Sequence, residues 1–186
     1  MNSNETGSEP NSDRALLARF VAGDVGAFEA LLERYERPLL RFAARYSPGL
    51  AQDLVQEAFL RLVRDASTLD GVTRVSSWLY RVVRNLAIDE ARKEERRMER
   101  HKVVAGSERL DAAQPFVETK ETRDLVSEKL RGLPEKQRDV LILRIQEEKT
   151  YREISEITGL TTSYVGYLIH QGLRTLAHEL KAAGVI

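Results

Sequence analysis

Asn85, Arg92, Lys93, Arg96, Arg97, Arg100 and Lys102 fall in one stretch, Ser76 to Lys102, that reads SSWLYRVVRNLAIDEARKEERRMERHK. Their chemistry is that of nucleic-acid contact. An Asn amide can make paired hydrogen bonds to an unpaired base edge, and guanidinium or ammonium groups hold phosphate. A bland reading stands beside this one: a surface helix laced by pairs such as Glu90–Lys93, Glu94–Arg97 and Glu95–Arg96, and the stretch alone supports both. Catalytic chemistry has little to work with. The chain has no cysteine, which excludes disulfides and cysteine-ligated zinc, and no pair among His101, His170 and His178 has metal-ligand spacing near a carboxylate cluster. There is no Gly-rich phosphate loop and no nucleophile elbow, and carboxylates in a charged helical chain are mostly solvated faces. We expect no enzyme, no cofactor and no metal.

The basic stretch must be carried on a helix. Serines Ser76 and Ser77 can cap it, and Leu79, Val82, Val83 and Leu86 recur at helical spacing before the apolar stripe stops and the cations begin. One end is expected in a core and the other in solvent. The single Trp of the chain, Trp78, sits at the start.

Length and composition fit this. The 186 residues suffice for one ordinary domain or two small ones, and scarce Gly and Pro among plentiful Leu, Arg, Glu and Ala argue for helices. Basic and acidic residues balance at 29 each, so DNA affinity is local or a partner supplies much of it. No apolar run approaches the ~20 residues of a membrane span, and the N-terminus lacks a basic start and apolar core; a cytoplasmic protein is expected.

Residues 1–12 read as a disordered polar tail. A helix with Leu16, Leu17, Phe20 and Val21 then runs to Gly23. Asp24 caps a second, with Phe28, Leu31, Leu32, Tyr35, Leu39, Leu40 and Phe42 inward, and Pro38 should kink or divide it. The third helix, residues 51–65, buries Leu54, Val55, Ala58, Phe59, Leu62 and Val63 and turns Asp53, Gln56, Glu57 and Arg61 outward. A loop over 66–75, with the turn signal Asp70–Gly71 and Arg74, leads into the basic helix. These four helices form one bundle, and residues 103–117 read as an interdomain linker.

A second helical unit follows. Residues 118–131 carry Leu125, Val126 and Leu130 and stop at Gly132; after Pro134 the next helix is lined by Val140, Leu141, Leu143 and Ile145. Thr150 and Glu153 form a capping box, Ile154 and Ile157 point inward, and Gly159 supplies a turn. Thr161 or Thr162 caps a longer helix with Val165, Leu168, Ile169, Leu173, Leu176 and Leu180 inside. Two helices joined by a short Gly-containing turn are the geometry that seats a recognition helix in the major groove. A plain helical hairpin is the alternative. The outward residues are Ser163, Tyr164, Tyr167, His170, Gln171 and Arg174.

Both halves together resemble the extracytoplasmic-function sigma factors of bacterial RNA polymerase. DLVQEAFLRLVRD followed by SSWLYRVVRNLAIDEARK is similar to their region 2, and LRGLPEKQRDVLILRIQEEKTYREISEITGLTTSYVGYLIHQGLRTL to their region 4. The likeness covers residues 13–102 and 118–180. It implies an all-α protein of two small helical domains, a four-helix region 2 over 13–102 and a region 4 over 118–182 with its helix–turn–helix at about 150–177. It implies further a subunit that binds core RNA polymerase and directs it to promoters, with region 2 recognising and melting the −10 element and region 4 reading the −35 element. By the resemblance, Asp53, Gln56 and Glu57 meet the clamp helices of the largest polymerase subunit, and region 4 meets the flap of the second-largest. Arg81, Asn85, Arg92, Lys93, Arg96 and Arg97 meet −10 DNA, and the loop with Arg74 lies at the flipped-base segment. Trp78 suits stacking on DNA or core packing. Thr161, Thr162, Ser163, Tyr164, Tyr167, His170, Gln171 and Arg174 meet the −35 element. Family members are commonly held by an anti-sigma factor, a partner this sequence does not itself reveal.

Two departures from the family pattern matter. Where the recognition helix is usually basic, this one has Gly166, Leu168, Gln171 and Leu173, and the two glycines, Gly166 and Gly172, weaken it by about 1 kcal/mol each. Tyr164 and Tyr167 are expected to offer aromatic contact to thymine methyls or the sugar backbone in place of charge. Gln52 stands where an acidic residue commonly precedes the Asp. The alternative function is a helix–turn–helix transcription regulator that is no polymerase subunit, but such a regulator has no need of the Asp-Leu-Val-Gln-Glu and Trp-Leu strings.

Overall fold

The computed structural model of the chain describes residues 10–69, 74–101 and 120–184, and among them every regular element is helical. Four helices come first: α1 (Asp13–Val21), α2 (Val25–Ala44), α3 (Ala51–Leu69) and α4 (Val75–His101). Four more follow: α5 (Lys120–Gly132), α6 (Glu135–Leu141), α7 (Tyr151–Thr158) and α8 (Thr162–Ala182). The chain divides into two compact units, Met1–Ala112 and Ala113–Ile186. The expected linker over 103–117 and the Asp70–Gly71 turn lie outside the described residues.

In the first unit, α1 to α4 form the expected bundle. Ser12 Oγ accepts from the Ala15 amide and Asp24 Oδ1 from the Ala27 amide, each at 3.3 Å, so both helices start at side-chain caps. Ser12 is buried and Arg34 donates to the Asn11 carbonyl at 2.9 Å, so residues read as tail are folded against the bundle. Asp13 binds Arg34 at 2.5 Å and accepts from the Tyr35 hydroxyl, which also bonds Ser76 of α4. Burial, and behind it the Asp13 charge, push the Tyr35 phenol far above its ordinary pKa, so it stays a donor. The core joins Leu16 and Leu17 to Leu31, Leu39, Phe42, Leu62, Leu79 and Val83, with Phe20, Phe28 and Phe59 in ring contact across three helices.

Several expectations are corrected here. Pro38 does not divide α2: Tyr35, Leu39 and Phe42 on either side of it are buried, and their packing carries the helix past the missing amide. Val63, expected inside, is exposed, and so is Val21 at the end of α1. The buried line of α3 runs through Ala58, Leu62 and Ala66, which turns Val63 out, and the helix continues to Leu69, so the connection to α4 is shorter than 66–75. Ser76 and Ser77 lie inside the first turn of α4, which begins at Val75, and Ser77 is buried rather than capping.

The second unit is built around α8, which packs on α5, α6 and α7. Residues 142–146 form a wider π-helical turn, with the Glu147 amide bonded to the Ile142 carbonyl at 3.2 Å. That extra residue per turn shifts the register, burying Ile142 and Leu143 while the expected core residue Ile145 faces solvent. Thr150 and Glu153 close the capping box, and Gly159 ends α7 with φ of 75°, a conformation that favours glycine. Ser155 Oγ donates to the Leu160 carbonyl at 2.6 Å and fixes the turn. Thr161, not Thr162, caps α8. Leu173 is exposed, because the buried line follows Val165, Leu168, Ile169, Gly172 and Leu176 and the next residue is rotated away. Gly172 is the point where α8 crosses α6: a Cβ there would stand 2.9 Å from Leu141 Cδ1.

Candidate nucleic-acid interface

The basic helix carries its candidates as an ordered row. Trp78, Arg81, Asn85, Arg92 and Arg96 recur at steps of three, four or seven residues, so they lie along one line of α4. Arg81, Asn85, Arg92 and Arg96 are exposed, while Trp78 and Arg74 at the root are half-buried. Below the row, Leu79, Val83, Ala87 and Ile88 are buried, so the core holds the first half of α4 and the row continues past it on the charged half. Lys93 and Arg97 lie off this line and pair within the helix, with Glu90 at 2.5 Å and Glu94 at 3.8 Å. Arg84 Nη1 donates to Asn85 Oδ1 at 3.4 Å, leaving the exposed amide nitrogen of Asn85 directed by its neighbour. The Glu95 side chain lies outside the described residues, as does Lys102.

A second row lies on α3. Asp53 and Gln56 are exposed; Glu57 is half-buried and bonds Arg61 at 2.7 Å. Leu60, 58% exposed, and Val63, 46% exposed, prolong the same line. The sequence reading missed both, because it took Val63 as core and passed over Leu60. An acidic and amide head with an apolar tail is suited to docking on a protein surface that offers basic and apolar groups in the same order.

On α8, Thr161, Thr162, Ser163, Tyr164, Tyr167, His170 and Arg174 are exposed and Gln171 is half-buried. Tyr164 and Tyr167 stack on each other, centroids 6.0 Å apart and planes within 11°. Arg174 is the one permanent cation among them. Of the positions where the family is usually basic, Leu168 is buried and Gln171 half-buried, while a side chain at Gly166 would meet the Tyr151 ring of α7, 3.4 Å from where its Cβ would stand. Arg144 lies 5.5 Å over that ring and donates to the Lys149 carbonyl at 3.1 Å, so the π-helical turn brings a guanidinium to the start of α7. Arg144 was missed in a segment read as core helix; only the π-helical register turns it outward. Among the described residues no cluster of His, Asp or Glu could hold a metal ion, and no helix is long and apolar enough to cross a membrane.

The family model for Sigma-70 region 2 matches residues 31–97, and that for Sigma-70, region 4, residues 123–176. The ECF RNA polymerase sigma factor SigW of Bacillus subtilis is 30% identical over 171 residues, covering 86% of this chain and 91% of its own. The ECF RNA polymerase sigma-E factor of Escherichia coli K12 is 30% identical over 161 residues, 81% of this chain and 84% of its own. Two solved structures share the fold at 22% identity and a TM-score of 0.69. One is CnrH in complex with the cytosolic domain of CnrY, covering 91% of this chain and 97% of that one. The other is the sigma factor RpoE of Bartonella quintana in complex with the anti-sigma factor NepR, covering 83% and 96%. Relatives this similar along most of their length decide the lineage: the chain belongs to the extracytoplasmic-function sigma factors and is an alternative sigma factor, which binds RNA polymerase and directs promoter-specific transcription.

Proposed function

We propose that residues 13–102 act as region 2 and 118–182 as region 4, joined by 103–117, and that the rows described above divide the work. The row on α3, Asp53, Gln56 and Glu57 with Leu60 and Val63, docks on the clamp helices of the largest polymerase subunit. The row on α4 meets the −10 element: Arg92 and Arg96 hold phosphate, and Asn85 hydrogen-bonds an unpaired base. Trp78 and Arg74 close the row at its root, next to the segment where a flipped base is received. Lys93 and Arg97, one residue off this line, meet the same DNA from the flank of the row. The face of α8 meets the −35 element, and region 4 meets the flap of the second-largest subunit. The protein acts in the cytoplasm without a catalytic step, metal or cofactor of its own. The observation that carries this reading is the α4 row, in which one helix line runs from a core-packed root to exposed guanidiniums.

An anti-sigma factor fits the same surfaces. Bartonella RpoE was solved with one, and a partner covering the exposed Leu60 and Val63 would block polymerase and hide apolar area at once.

The test is binding of the purified chain to bacterial core RNA polymerase, wild type against Asp53→Arg/Gln56→Ala. Stoichiometric binding weakened at least tenfold by the pair of substitutions, about 1.4 kcal/mol or more, is the expected result. Binding that the substitutions leave untouched removes the α3 row from the interface. Absence of polymerase binding with specific retention of duplex DNA by the chain alone would instead favour a free-standing regulator.

A further inference from the structure

The outward face of α8 is short of charge and rich in aromatic surface, and its two tyrosines form a unit. Tyr164 and Tyr167 lie one turn apart near the helix start, 40% and 56% exposed, with rings stacked at 6.0 Å and planes within 11°. Both rings stay accessible within their own unit. An exposed apolar pair held in register against itself loses little freedom when it meets a ligand, because each ring already fixes the other. The start of a recognition helix is the part that reaches base edges in the major groove. There the apolar feature a duplex offers is the C5 methyl of thymine. Phosphate cannot be the main target of a face whose permanent cation is Arg174.

We propose that the stacked Tyr164–Tyr167 pair is a methyl-reading platform that makes recognition of the −35 element by this sigma factor depend on thymine C5 methyls. The inference rests on the assignment of α8 to the −35 element and adds to it the chemical group that is read. Pairing also explains why both tyrosines stand on this face: a single ring covers one methyl, whereas two stacked rings cover methyls on neighbouring base pairs.

The experiment uses holoenzyme assembled from core polymerase and the full chain. Promoter fragments with a randomised upstream region are selected by retention on it, and the enriched −35 sequence is then made with thymine or with deoxyuridine, which lacks only the methyl. Each thymine read by the pair should lose about fourfold in affinity on replacement, the worth of burying one methyl-sized group. Tyr164→Ser/Tyr167→Ser holoenzyme should bind the thymine duplex as weakly as wild type binds the deoxyuridine duplex, and should no longer distinguish the two. Tyr167→Phe should keep the discrimination. Wild type indifferent to deoxyuridine overturns the proposal without needing any variant to fold. So does enrichment of a −35 sequence without thymine, or enrichment of a −10 element alone, although the assignment of region 2 would stand. A double variant that loses polymerase binding while its bound fraction discriminates as before would mark the pair as a protein-docking surface, and again the proposal fails. If no holoenzyme forms with the wild-type chain, the sigma assignment itself falls first.

Discussion

Two glycines on one helix should respond to alanine with opposite sign. Gly172 and Gly166 both lie within α8, where alanine is favoured over glycine by about 1 kcal/mol through backbone entropy. At Gly172 the new Cβ would stand 2.9 Å from Leu141 Cδ1 and 3.2 Å from its Cγ, with Gln137 Cβ at 3.5 Å. Leu141 has no exposure, so it has no open side to move toward, and forcing a methyl into such a contact costs about 1–3 kcal/mol. The net for Gly172→Ala is a loss of about 1 kcal/mol, equivalent to about 4–8 °C in Tm for a small domain. At Gly166 the nearest atom is Tyr151 Cε2 at 3.4 Å, an ordinary contact with a ring that is 43% exposed and free to yield. Gly166→Ala should therefore keep most of the propensity gain and stabilise by about 0.5–1 kcal/mol. The assay can separate the units. Trp78, the only tryptophan, reports on the first unit by fluorescence, while far-UV circular dichroism follows both, so a urea transition seen in the second signal alone belongs to the unit that holds α8. Leu141→Ala should also cost less in the Gly172→Ala background than alone, since the added methyl occupies part of the space vacated. Equal stabilisation by both glycine substitutions, or a Gly172→Ala midpoint at or above wild type, would refute the close approach of α8 to α6.

Two further outcomes bear on charge. Arg19, 2.6 Å from Asp24, holds the Asp24 carboxyl below its ordinary value of 3.8 by a direct hydrogen bond. With the lower pKa in the folded state, this contribution is present above about pH 4 and lost as acid protonates the group. Asp24→Asn, which keeps the oxygen that caps α2, should flatten the fall in the Trp78 unfolding midpoint below about pH 4; a decline as steep as wild type would rule the pair out as its source. On promoter DNA, Arg174→Ala should lower the steepness of log affinity against log salt by about 0.9, one phosphate contact, for holoenzyme on a promoter with its −35 element, and should change nothing on one without it. An equal change on both would place Arg174 away from the −35 duplex.

Much was legible before any coordinates. Helical periodicity with scarce Gly and Pro announced an all-α chain, and local signals with fixed chemistry marked the ends of its elements: Asp24 as a cap, the Thr150–Glu153 box, Gly159 in the turn. Such signals act over one turn of chain, and the sequence contains all the partners they need. The order of the two motif sets, and with it the family, was readable for the same reason. What lay beyond sequence was which side of each helix its neighbours cover. Val63 and Leu173 are apolar and sit at helical spacing, yet both are exposed because the buried line is set by helices elsewhere in the chain. The π-helical turn at 142–146 moved Ile145 out and brought Arg144 to Tyr151, a register change that no local pattern encodes. The same holds for Gly172, a weak residue by propensity, which becomes a requirement once α8 is laid against Leu141. Propensity and capping belong to the chain; the facing of a helix belongs to the packing, because a rotation of one residue, about 100°, separates core from solvent and only the neighbouring helices decide it.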